Sequence, residues 1–266
     1  MKDLSIALVQ TDLHWEDPAA NLAMLEEKIW QVNKAVDVII LPEMFNSGFT
    51  MHAEKVAEKM NMRTTQWLKQ MSAQTGALLL GSVIIEEDGN FYNRLCWAQP
   101  DGKMMHYDKK HLFRMAGEHK VFSSGTKSFT AEWRGWRIRP LVCYDLRFPV
   151  WSRNTWSKDL NKPAYDLLVY VANWPSARSV AWDSLLKARA IENLSFAAGV
   201  NRVGKDGNQV EYNGHSALFG PRGEEIIPSF EEEAIKVTTL SAEDLHAYRE
   251  KFPAFMDADG FRLEDN

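Results

Sequence analysis

Residues 4–9 and 36–41 are short β-rich apolar runs, and between them residues 21–34 carry Leu22, Leu25, Ile29 and Val32 at helical spacing. Strand, helix and strand in that order make a βαβ unit, which commits this part of the chain to an α/β fold. The pattern continues. A helix is expected over residues 64–73, then apolar strands over 77–85 and 91–98 joined at Asp88-Gly89-Asn90, where the Asp-Gly pair signals a hairpin. A further turn at Pro100-Asp101-Gly102 leads into residues 104–107, so antiparallel neighbours join the parallel ones and the sheet is mixed. After the apolar run 138–142, residues 167–172 read as a buried strand and 180–193 as a helix with Leu185, Leu186, Ala190 and Ile191 inward. Runs at 196–200, 215–219, 225–227 and 234–239, punctuated by glycines, complete a strand-rich second half. No linker divides the chain, so residues 1–266 are expected to form one α/β domain with two mixed sheets. Each sheet must cover its outer face with helices, which predicts an αββα sandwich.

The charge balance, 31 basic against 36 acidic residues, argues against a general affinity for nucleic acid or an anionic membrane. No apolar stretch approaches the roughly 20 residues that a membrane span needs. The first strand is too short and interrupted for a signal segment. Cys96 and Cys143 are too few for a disulfide framework and lack metal-type spacing, so a cytoplasmic location is expected. His106, His111 and His119, five and eight residues apart, share no helix face, and no metal is expected.

Three strand ends carry the chemistry. Cys143 closes the run Ile138-Arg139-Pro140-Leu141-Val142 and is followed by Tyr144-Asp145-Leu146-Arg147-Phe148-Pro149, a strand stopping at a turn. A thiol there points toward the crevice where α/β sheets bind ligands. Glu43 follows residues 36–41 in Pro42-Glu43-Met44-Phe45, where a partly desolvated carboxylate can take a proton from a thiol and return it to a leaving amine. In Lys109-Lys110-His111-Leu112-Phe113, Lys110 is the expected lysine, placed to favour thiolate and to stabilise an oxyanion. The competing readings are a papain-like pairing of Cys143 with His111 or His215, and a pocket that binds a metabolite without chemistry.

Pro42-Glu43-Met44-Phe45, Lys110-His111-Leu112-Phe113 and Val142-Cys143-Tyr144-Asp145-Leu146-Arg147-Phe148-Pro149 resemble the three catalytic signatures of the nitrilase superfamily of carbon–nitrogen hydrolases. The likeness extends through Asn173-Trp174-Pro175 and Arg189-Ala190-Ile191-Glu192-Asn193 to Asn201-Arg202-Val203-Gly204 and Gly214-His215-Ser216. It implies an αββα fold, frequently dimerising through a helical face into four layers, and a Glu-Lys-Cys triad that needs no cofactor. Glu118 matches the superfamily's second glutamate. The segments after Glu43 and Cys143 are most similar to the ω-amidase branch, whose members release ammonia from small dicarboxylic acid monoamides. That implies α-ketoglutaramate or α-ketosuccinamate as substrate, with deaminated glutathione or an N-carbamoyl amine as alternatives of the same chemistry. Where animal members of the branch carry a tyrosine, this chain has Phe49. The oxyanion is expected on Lys110 and the backbone N–H of Tyr144. Phe49, Phe122 and Trp174 are expected to wall the pocket. Arg147, Arg178 or the Lys110 region would receive the substrate carboxylate, although Arg147 paired with Asp145 could instead brace the turn. Ten tryptophans are compatible with a buried interface in a homodimer or a higher homo-oligomer.

Overall fold

A computed structural model describes residues 1–32, 34–157 and 162–263. In chain order its strands are β1 (Leu4–Gln10), β2 (Val38–Ile40), β3 (Leu78–Glu87), β4 (Asn90–Ala98), β5 (Met104–Asp108), β6 (Ala131–Trp133), β7 (Trp136–Val142), β8 (Trp156–Ser157), β9 (Lys162–Pro163), β10 (Leu167–Val171), β11 (Phe196–Val200), β12 (Val203–Lys205), β13 (Glu211–Asn213), β14 (Ser216–Phe219), β15 (Glu225–Phe230) and β16 (Ala234–Leu240). The helices are α1 (Pro18–Trp30), α2 (Ala53–Val56), α3 (Arg63–Thr75), α4 (Pro149–Ser152), α5 (Ser179–Glu192) and α6 (Ala242–Lys251). Among these residues no helix is long and apolar enough to cross a membrane.

Two six-stranded sheets run β16-β1-β2-β3-β4-β5 and β15-β14-β11-β10-β7-β6. Each has three parallel strands at its centre, β1, β2 and β3 in one and β7, β10 and β11 in the other, with antiparallel strands on both sides. The two-residue side-chain period decides which residues face where. Leu4, Ile6 and Leu8 of β1 join Val38 and Ile40 of β2 against Trp136, Ile138 and Leu167 of the second sheet, in the core between the sheets. Ala7, Val9 and Ile39 turn the other way and pack with Leu22, Leu25 and Ile29 of α1 and Leu68 and Met71 of α3. The second sheet is covered by α5, whose Trp182 and Leu186 sit so close to β11 that a Cβ at Gly199 would lie 2.6 Å from each. The expected αββα layering is the one the chain forms.

Local chemistry explains the element boundaries. Asp17 caps α1, accepting from the Ala20 N–H at 3.0 Å, with Pro18 in the first turn. The helix ends at Trp30, so Val32 packs on that core from beyond it. Asp88 and Gly89 join β3 to β4 as a two-residue turn with φ of 51° and 76°, the left-handed pair that suits the twist of a hairpin. One inward assignment on α5 is overturned: Ile191 is 46% exposed, while Trp182 and Arg189 share the buried face with Leu186 and Ala190.

This topology assembles a site. In the first sheet β5 is antiparallel to β4, which is antiparallel to β3, so β2, β3 and β5 all end at the same edge. In the second sheet β7, β10 and β11 end together. Glu43 follows β2, Lys109 follows β5, Cys143 follows β7 and Asn173 follows β10, so sheet stacking brings the four together at carboxyl ends of strands.

Candidate active site

Cys143 opens a 3₁₀ turn, Cys143–Arg147, with φ of 43°. A non-glycine residue in this left-handed region carries about 1–3 kcal/mol of backbone strain, which the surroundings must offset. Asp145, fully buried, supplies much of the offset: Oδ2 accepts from the Val142 N–H at 3.0 Å and the Tyr107 hydroxyl at 2.8 Å. Its Oδ1 accepts from the His111 N–H at 3.1 Å and lies 2.8 Å from His111 Nδ1. From α5, Arg189 donates to the Leu146 carbonyl at 2.6 Å. Asp145 therefore does brace the turn, but through Tyr107 and His111 instead of Arg147.

Beside the thiol lies a buried ion cluster. Lys109 Nζ donates to Glu43 Oε1 at 2.9 Å and to Glu118 Oε1 and Oε2 at 3.0 and 2.9 Å, with all three side chains fully buried. Asn93 of β4 donates to the same Glu43 oxygen at 2.8 Å, and the Asn173 N–H donates to Glu43 Oε2 at 2.8 Å. Glu118 also accepts from the Phe113 N–H at 2.6 Å, which ties the loop after β5 to the cluster. The Cys143 thiol donates to the Asn173 carbonyl at 3.9 Å, with the Glu43 carboxylate as the neighbouring acceptor.

Electrostatics follow from this packing. Burial opposes the charge of Lys109, yet the carboxylates of Glu118 and Glu43 hold its pKa above the ordinary lysine value. Burial, opposed by Lys109 and reinforced by Glu43, holds Glu118 above the usual carboxylate range. Burial and the Glu43 carboxylate push the Cys143 thiol well up, and the pull of Lys109 does not reverse the sign. The cysteine thus rests as a thiol and needs a base to become a nucleophile. Cys96, wholly buried in β4, is pushed up to about 12 by burial.

The lysine at the site is Lys109, which corrects the expectation for Lys110. Lys110 donates its backbone N–H to the Tyr107 hydroxyl at 3.1 Å and extends its ammonium over Trp151, 5.6 Å from the ring centre. Strand parity separates the two: Met105 and Tyr107 face the core between the sheets, Met104 faces away, and Lys109 continues the odd series. Close packing fixes this strand end, since Gly125 donates to the Lys109 carbonyl at 2.9 Å and a Cβ at Gly125 would lie 2.0 Å from the Asp108 carbonyl oxygen.

A cavity of about 430 Å³ opens onto Cys143 and Lys109. Phe49 and Trp174 line it as expected, and Tyr144, Arg147, Arg178, Asn173, Asp206 and Tyr212 also form its wall. Phe122 does not: it is 4% exposed and packs with Met44, Val56 and Ile84 in a separate apolar cluster, so its expected place in the wall is corrected. The Arg147 guanidinium lies 5.0 Å from the Trp174 ring centre and that of Arg178 5.4 Å from Phe113, with an Arg178 N–H on the Met115 sulfur at 3.0 Å. Among the described residues neither arginine has a carboxylate partner. Asp206 is engaged by its own loop, accepting from the Asn208 and Val210 N–H groups and the Tyr212 hydroxyl.

The two histidines weighed as partners of Cys143 are engaged elsewhere. His111 stacks on Phe148 and pairs with Asp145, while His215 lies 2.9 Å from Asp183 and 3.3 Å from Glu231. Among the described residues no group of three or more His, Cys, Asp or Glu side chains is arranged to hold a metal ion. Sequence reading missed Asn93 and Asn173. Asn93 gives no local signal within its strand. Asn173 stands at the end of an apolar run as Glu43 and Cys143 do, and that position is the signal that could have found it.

Comparison with known proteins gives concordant matches. The family model for carbon-nitrogen hydrolase matches residues 5–250. Omega-amidase YafV of Escherichia coli (strain K12) is 47% identical over 264 residues, spanning 99% of this chain and 100% of that protein. The 2-oxoglutaramate amidase of Bacillus subtilis (strain 168) is 32% identical over 256 residues, 95% of this chain and 96% of that one. Among solved structures, XC1258 from Xanthomonas campestris, a CN-hydrolase superfamily protein with an arsenic adduct in its active site, superposes with a TM-score of 0.97 at 46% identity, covering 99% and 100% of the two chains. Saccharomyces cerevisiae Nit3, a member of branch 10 of the nitrilase superfamily, shares the fold with a TM-score of 0.82 at 24% identity over 95% of each chain.

Proposed function

Because this chain belongs to the carbon–nitrogen hydrolase family, we propose that it is a cysteine-dependent ω-amidase, converting small dicarboxylic acid monoamides to the diacid and ammonia. One observation carries the reading: a base, an ammonium and a thiol converge at one end of a cavity whose wall bears two arginines without carboxylate partners among the described residues. The relatives named omega-amidase and 2-oxoglutaramate amidase support the substrate class.

In the first half-reaction Glu43 takes the proton of Cys143 as sulfur attacks the amide carbonyl carbon. The carbonyl π electrons move to oxygen, and Lys109, with the Tyr144 N–H at the start of the turn, stabilises that oxyanion. Lys109 replaces Lys110 in this role. The oxyanion then collapses, the C–N bond breaks, and nitrogen leaves as ammonia with the proton held by Glu43. A thioester remains on Cys143. Water gives a proton to Glu43 as its oxygen attacks the thioester carbonyl, the tetrahedral intermediate collapses with cleavage of the C–S bond, and Glu43 passes that proton to the departing sulfur. Glu118 keeps Lys109 aimed between the base and the reacting carbon. Because Lys109 is held charged and Cys143 neutral, charge develops only as the thiol is deprotonated, next to a cation already in place.

The substrate's far carboxylate is assigned to Arg147 and Arg178, and its short apolar stem to Phe49 and Trp174. A panel of α-ketoglutaramate, succinamate, deaminated glutathione, an N-carbamoyl amine and a simple nitrile tests this by ammonia release. The first two are expected to be preferred, and a preference for either of the last two would sink the ω-amidase reading. In Arg147→Ala, kcat/KM for succinamate is expected to fall about 10- to 100-fold, the worth of a charged hydrogen bond, while butyramide, without a carboxylate, changes little.

The resting assembly is proposed to be a homodimer. Sedimentation of the full chain checks this directly, a monomer at micromolar concentration being the contrary result.

A further inference from the structure

We propose that the corner formed by Trp15 and Glu16, on the loop after β1, sets the width of the acyl cavity and thereby selects the length of the acyl chain. Neither residue is part of the cavity wall, so both act through the loops that are. This inference rests on the reading of that cavity as the acyl site.

Glu16 grips the loop that follows Glu43. Its side chain is only 4% exposed although it bonds groups at the surface. Oε1 accepts from the Thr50 hydroxyl at 2.6 Å and lies 2.6 Å from His52 Nδ1, while Oε2 accepts from Lys55 Nζ at 2.6 Å. Its backbone N–H donates to the Ser47 carbonyl at 2.8 Å. The residues between these anchors, Phe49 to His52, are cavity wall. Glu16 holds φ at 51°, a strained value for a non-glycine residue, which places its backbone and carboxylate together against this loop.

Trp15 joins that loop to a second one. Its indole lies against Gly48, where a Cβ would sit 3.3 Å from the ring, and against Gly207, where a Cβ would sit 2.3 Å from Nε1. Gly207 belongs to the Asp206–Val210 turn between β12 and β13, whose Asp206, Asn208 and Val210 also line the cavity. A single indole seated on two glycines therefore sets the spacing of two wall segments distant in sequence. Shortening it lets both segments move, and a side chain at Gly207 drives them apart.

Trp15→Ala tests this, with Trp15→Phe as the conservative rescue. Glu16→Gln is the second variant should Trp15→Ala fail to fold by circular dichroism. Relative to succinamate, kcat/KM for the longer adipamate is expected to rise about tenfold in Trp15→Ala and Glu16→Gln, largely through KM, and to return toward the parent ratio in Trp15→Phe. The ratio of Cys143 alkylation rates by bulky N-ethylmaleimide and small iodoacetamide is expected to rise in the same variants. This second readout needs no amide hydrolysis. If the parent hydrolyses none of the amides but the alkylation ratio shifts, the ω-amidase reading fails and the width-setting corner stands. If amides are hydrolysed and neither ratio moves in the folded variants, the corner proposal is overturned alone.

Discussion

Cys143→Ala is expected to lower ammonia release from succinamate by at least about 10⁴-fold, the scale on which removing a covalent nucleophile acts. The other thiol and the two histidines weighed as its partners are committed elsewhere: Cys96 is wholly buried in β4 and pushed up to about 12 by burial, and His111 and His215 are paired with carboxylates. Glu43→Gln should come close to the same loss, about 10²- to 10⁴-fold, because Cys143 rests protonated and depends on that base in both half-reactions. The double variant should be scarcely worse than Cys143→Ala, since both residues serve one step. Steady-state ammonia release measures all three. A Cys143→Ala protein that kept the parent rate would exclude acyl transfer through this thiol.

The second large effect separates two adjacent lysines. Lys109→Met is expected to reduce kcat by about 10²- to 10³-fold through loss of the oxyanion partner, whereas Lys110→Met should stay within about threefold of the parent. Lys109→Met also leaves Glu43 and Glu118 without their shared cation in a fully buried site, a defect of about 3–5 kcal/mol, so its melting temperature should fall by several degrees. Kinetics and thermal unfolding on the same samples distinguish a folded, slow enzyme from an unfolded one. A large loss in Lys110→Met with a normal Lys109→Met would reverse the assignment.

Why the sequence could indicate Glu43 and Cys143 but not the correct lysine is a matter of local information. Each of the first two follows an apolar run that stops abruptly, so its position at a strand end is written in its neighbours. Two lysines in succession offer no such mark. Their difference lies in the parity of β5, visible only once Met105 and Tyr107 are seen to face the other sheet and Met104 the helices. The same limit hid the brace on the nucleophile turn. Asp145 and Arg147 stand two apart in sequence, but the side-chain partners of Asp145 are Tyr107 of β5 and His111 of the loop after it, 38 and 34 residues away. Phe122 is an aromatic beside a functional loop, which suits a pocket and a satellite core equally well in sequence; its packing on Met44 and Ile84 places it in the core. The layered fold was legible, since period-2 and period-3.6 patterns are local and their alternation dictates how faces are buried.

The central claim, acyl transfer through Cys143, is tested most directly by rapid-quench mass spectrometry of the parent enzyme mixed with succinamate. The peptide that contains Cys143 is expected to gain the mass of one succinyl group within the first turnover and to lose it as succinate appears, with no adduct on Cys96. Ammonia and succinate formed at the full rate with no transient adduct on Cys143, or with the adduct on another residue, would contradict it.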